Sequence, residues 1–65
     1  MNIDQLFAQV LAIDDLIQVI SKLPRRDNIF AGKMLAAFNY YGHLTDRQFE
    51  IVKEILARHA TKGQE

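Results

Sequence analysis

The chain has 65 residues, no cysteine, and eight basic residues set against eight acidic ones. A domain of this size hides only about 60% of the surface its unfolded form exposes, so its core is small, and without cysteine neither disulfides nor thiolate chemistry are available to it. The even charge balance runs against dedicated duplex binding, which normally goes with a basic excess, while 49% hydrophobic and 25% charged residues exclude a disordered chain.

The charges are unevenly spread. Residues 1–20 carry Asp4, Asp14 and Asp15 with no base, whereas residues 21–33 carry Lys22, Arg25, Arg26 and Lys33 against Asp27 alone. The apolar run FAQVLAIDDLIQVI is interrupted by two aspartates and falls short of the roughly 20 residues a membrane span requires. No basic flank precedes it, so neither a signal peptide nor a membrane partner is expected, and a cytoplasmic location is.

In chain order, the first predicted helix covers residues 3–23. Ile3, Leu6, Val10, Ile13, Ile17 and Ile20 alternate spacings of three and four, the pattern of a continuous apolar seam. Leu11, Leu16, Val19 and Leu23 broaden it, with Phe7 beside it. Asn2 or Asp4 caps its start, and Pro24 stops it by forcing the preceding residue out of helical geometry. PRRDN reads as a loop, after which Asp27 or Asn28 caps a second helix over 28–41. Phe30, Met34, Phe38 and Tyr41 form its inner face with Leu35 beside them. Gly32 and the alanines at 31, 36 and 37 thin it for close approach of a neighbour, and Gly42 ends it.

The turn GHLT opens the third helix, over 46–61. Thr45 and Gln48 stand at capping-box spacing, with Leu44 and Phe49 placed as a hydrophobic staple. Phe49, Val52, Ile55, Leu56 and His59 are read as inward, Glu54 and Arg58 as an outer pair, and Gly63 as the fraying end. No strand pattern competes. The expectation is an all-α, compact three-helix domain, a single unit over 1–65, with a capped helical hairpin at its C-terminal end. The first helix carries more apolar surface than two short partners cover, so a homodimer or a docked partner is expected, with Ile3, Val10 and Ile17 as the self-association residues.

The chemistry-bearing residues do not assemble into an enzyme. Ser21, the only serine, has no histidine within a turn, and nucleophilic catalysis needs a base in reach. Asp14 and Asp15 diverge by about 100° around their helix. His43 and His59 lack the further ligands a metal needs, the glycines do not cluster, and no cofactor is expected. A helix-turn-helix would direct Asp46, Arg47, Glu50 and Lys53 at DNA, and two acids among four make a poor groove reader. What remains is a contact surface: a basic patch with an aromatic neighbour, the arrangement that holds single strands without sequence preference. Arg25, Arg26, Lys33, Tyr40 and Arg47 are its expected binding residues, toward a protein partner or single-stranded nucleic acid.

Phe30, Ala31, Leu35, Gly42, Leu44, Thr45 and Gln48, within residues 29–56, carry a resemblance. An aromatic and small residues open a helix, a leucine follows, and then come a glycine, a Leu-Thr pair and a glutamine. This resembles a small helical module of phage-encoded and DNA-metabolism proteins, including accessory proteins encoded beside phage recombination helicases. The chain departs from that pattern at Gly32-Lys33-Met34, and most matching positions are the caps and core residues named above. The resemblance implies a phage-encoded, non-enzymatic accessory or adaptor protein that binds a component of nucleic-acid metabolism. The alternatives are a small helix-turn-helix regulator and an inhibitor that occupies the surface of a host enzyme.

Overall fold

A computed structural model describes residues 2–59. Three helices make up the fold: α1 spans Ile3–Val19, α2 spans Arg25–Tyr41 and α3 spans Asp46–His59, with a single 3₁₀ turn, Ile20–Lys22, extending α1. No strand occurs among the described residues. The all-α three-helix reading therefore holds. The helix boundaries shift, and residues 60 and 61 of the third expected helix, with Gly63, lie outside the described residues. α3 sits between α1 and α2 and packs on both. None of the helices is long and apolar enough to cross a membrane.

Asn2 is the cap of α1. Its side chain accepts from the Gln5 backbone at 2.8 Å, and the Gln5 side chain accepts from the Asn2 backbone at 3.2 Å. The buried stripe of α1 differs from the expected seam. Gln9, Ile13 and Leu16 are buried, with Ile20 half-buried after them, whereas Ile3, Val10 and Ile17 are 79%, 43% and 53% exposed. α1 is apolar on two sides, and spacing alone does not say which side docks. The decision falls to Gln9, whose amide grips both backbone groups of Leu44: Nε2 donates to the carbonyl at 3.0 Å and Oε1 accepts from the N–H at 2.8 Å. A buried amide with all of its local partners in place is stable where an unpaired one costs about 1–3 kcal/mol.

α2 begins three residues earlier than expected, at Arg25, so RRDN is its first turn and not a loop. Pro24 stands at the cap with φ −57° and its carbonyl accepts the Asn28 N–H at 2.8 Å; its ring fixes the entry angle and it has no N–H to leave unpaired. Neither Asp27 nor Asn28 caps. Asp27 turns inward, and the Asn28 amide donates to the Ile20 carbonyl at 2.8 Å, closing the gap between the 3₁₀ turn and α2. The inner face is Asp27, Ala31 and Met34, with Phe38 half-buried; Phe30 and Tyr41, expected inside, are exposed. Gly32 does not admit a neighbour either, since a side-chain carbon added there meets nothing within 4 Å. Gly42 ends α2 at φ 83°, a left-handed angle that glycine adopts without strain, and its N–H bonds to the Phe38 carbonyl at 2.8 Å.

The expected start of α3 is observed. Thr45 Oγ1 accepts from the Gln48 N–H at 3.1 Å and Gln48 Oε1 accepts from the Thr45 N–H at 2.9 Å. Leu44, Val52 and Ile55 are fully buried and join Ile13, Leu16, Leu23, Ala31 and Met34 in one core, with Phe49 and Leu56 packed against it.

Candidate functional site

The first turn of α2 faces the last turn of α3, and a polar tie joins them. Asp27 is 9% exposed; Arg58 Nη2 donates to its Oδ1 at 3.1 Å, and His59 Nε2 lies 2.6 Å from its Oδ2. The hydrogen bond with His59, and then the hydrogen bond and charge of Arg58, hold the Asp27 carboxyl below its ordinary range, against the opposing effect of partial desolvation. The helix dipoles favour the same arrangement, an acid in the opening turn of α2 and bases in the closing turn of α3. Arg58 thus forgoes the expected pair with Glu54, and the outer ion pair of α3 is Glu50–Lys53, at 3.2 Å.

Beside this tie lies a groove of about 660 Å³ between α2 and α3. Pro24, Phe30, Ile51 and Ile55 supply apolar lining, and Arg26, Arg47 and Arg58 bring three guanidiniums, with the carboxylates of Asp27 and Glu54 among them. Arg58 is engaged with Asp27, while Arg26 and Arg47 make no ion pair among the described residues. Phe30 is 40% exposed, and Lys33 Nζ stands 5.8 Å from its ring centroid. A guanidinium offers only donors, in a planar fork that fits phosphate or carboxylate oxygens. The arrangement can hold an anionic ligand against an aromatic ring.

Of the residues expected to bind, Arg26 and Arg47 meet in this groove. Arg25, Lys33 and Tyr40 do not line it; they are exposed along α2. Tyr40 stands about 20 Å along the helix from Arg26 by helical rise, edge-on to Tyr41 at 4.7 Å between ring centroids. The aromatic neighbour of the basic patch is therefore Phe30. Asp46, Arg47, Glu50 and Lys53 are all exposed, as read for a DNA-facing helix, but Lys53 is bonded to Glu50 and lies 4.8 Å from the Phe49 ring centroid. Sequence reasoning missed Asp27, Arg58 and Phe30 as parts of the site. The spacing of Phe30 points to the core, yet its ring is 40% exposed. The Asp27–Arg58 contact spans 31 residues, so no local pattern shows it.

Fold and groove together define a small all-α domain with an arginine-lined surface cleft. No family model matches the chain, and no curated protein or solved structure matches it.

Proposed function

We propose that this chain is a non-enzymatic accessory protein of nucleic-acid metabolism, and that its α2–α3 groove takes single-stranded nucleic acid. One observation carries the reading: Arg26 and Arg47, both free of ion pairs among the described residues, line one groove with Arg58 and the exposed Phe30, three guanidiniums against the carboxylates of Asp27 and Glu54. Guanidiniums track a phosphodiester backbone, and an exposed ring stacks any base, worth about 1–3 kcal/mol per base. Duplex reading is less well served, because the exposed face of α3 mixes Asp46 and Glu50 with its bases. The resemblance of residues 29–56 to accessory proteins of phage DNA metabolism supports the same reading.

The test is fluorescence anisotropy with a labelled single-stranded oligonucleotide and its duplex, titrated with salt from about 50 mM, where phosphate contacts are strong. Single-strand binding is expected, and Arg26→Gln with Arg47→Gln should lower the slope of log affinity against log salt by about 1.4, two contacts at roughly 0.7 each. Phe30→Ala should weaken binding without changing that slope. No single-strand binding at low salt would remove the reading. A protein partner is the second reading, favoured by the exposed apolar face of α1.

A further inference from the structure

The outer face of α1 holds Ile3, Phe7, Val10 and Ile17 at 79%, 63%, 43% and 53% exposure. They follow the spacing of an interhelical seam, and Asp14 occupies the remaining position in the middle of it. α1 carries no base at all, so any helix that covers this face needs apolar side chains and a cation opposite Asp14. Two copies of α1 laid face to face fail that requirement, because each would bury Asp14 against an acidic partner.

The same chain displays a matching face. Outward on α2 stand Arg25, Ile29, Lys33 and Tyr40, with Ile29 49% and Tyr40 80% exposed. Between them Gly32 and Ala36 leave a shallow strip, also exposed. Gly32 has a helical backbone and no neighbour, so it gains nothing inside the molecule for the entropy it costs relative to alanine. The two faces agree in length, about 21 Å from Ile3 to Ile17 and about 22 Å from Arg25 to Tyr40 by helical rise. They also agree in charge, acid on one and base on the other.

We propose that the outer face of α1 docks on the outer face of α2 of a second copy of this chain. Laid antiparallel, the helices bring Ile3 toward Tyr40, Phe7 over the Gly32–Ala36 strip, and Asp14 between Arg25 and Lys33. Because the faces differ, the contact either closes as a reciprocal pair or continues head to tail. A single helix–helix face is smaller than the roughly 800 Å² per partner of a stable complex, so the association is reversible and depends on concentration. The lining of the α2–α3 groove is not part of this contact, although Lys33 reaches over the Phe30 ring at its edge; association is measured without nucleic acid, so either proposal can fail alone.

Charge exchange tests it by sedimentation velocity across micromolar to millimolar protein, with circular dichroism confirming that each variant folds. The wild-type mass should rise with concentration. Asp14→Lys, and separately Arg25→Glu with Lys33→Glu, should each weaken association by at least about tenfold. Mixing the two variants, or joining all three substitutions in one chain, should restore it. A wild-type mass that stays monomeric throughout overturns the proposal and leaves the α1 face to a foreign partner. Association that ignores Arg25→Glu with Lys33→Glu, or that mixing does not restore, overturns it equally.

Discussion

The two sides of α1 are built from similar residues and meet opposite fates. Ile13 and Leu16 point inward and are buried, while Ile17 and Val10, their immediate neighbours in spacing and chemistry, face outward. Apolar content does not separate the two sides. The polar residues do: Gln9 on the inner side finds both backbone groups of Leu44, whereas Asp14 on the outer side would enter the core with no cation to meet it. Burying an unpaired carboxylate is far more costly than exposing an isoleucine. The orientation of a doubly apolar helix is thus set by which of its polar groups can be satisfied inside.

Adjacent truncations probe this contrast most strongly. Leu16→Ala should lower unfolding free energy by about 2–5 kcal/mol, and Ile17→Ala should stay within about 0.5 kcal/mol of wild type in dilute solution. Urea denaturation measures both, and similar losses at the two positions would mean that the outer face is covered in the free chain. Gln9→Leu comes next. It keeps the bulk but strands the N–H and carbonyl of Leu44, at a cost of about 2 kcal/mol. A neutral result there would transfer the choice of face from Gln9 to packing alone.

The smallest effect concerns the other polar tie and is confined to acid. The Asp27 carboxyl is held below its ordinary value of 3.8, chiefly by His59 and then by Arg58. A depressed folded-state value contributes stability above the unfolded value and loses it as pH falls through the folded one. The melting temperature should therefore decline below about pH 3.8, and Asp27→Asn should flatten that part of the curve while lowering its neutral plateau. Unchanged acid sensitivity in Asp27→Asn would assign the decline to other carboxylates.

These contrasts also mark what could be read from the sequence. The third helix was legible almost whole, because its signals are local: Gly42 to end the preceding helix, Thr45 with Gln48 to cap, and Phe49, Val52, Ile55 and Leu56 to pack. The rotation of α1 was not, since the partner of Gln9 lies 35 residues away. The start of α2 is hidden because a proline signals the stop of one helix, while the Pro24 carbonyl also opens the next. The groove was half legible. Arg26 and Arg47 follow from a basic cluster meeting an exposed helix start, whereas Phe30 and Arg58 depend on how α2 and α3 face one another.

The grip of Gln9 on Leu44 has a kinetic corollary. The turn that receives it is finished by contacts within four residues, from Phe38 to Gly42 and from Thr45 to Gln48, while Gln9 must close 35 residues of chain to reach it. Closing long loops carries the larger entropic penalty, so the α2–α3 hairpin should nucleate and α1 should lock on last. Stopped-flow chevrons would then show Thr45→Ala slowing refolding, and Gln9→Leu chiefly hastening unfolding. The opposite pattern would make α1 the organiser and the hairpin its follower.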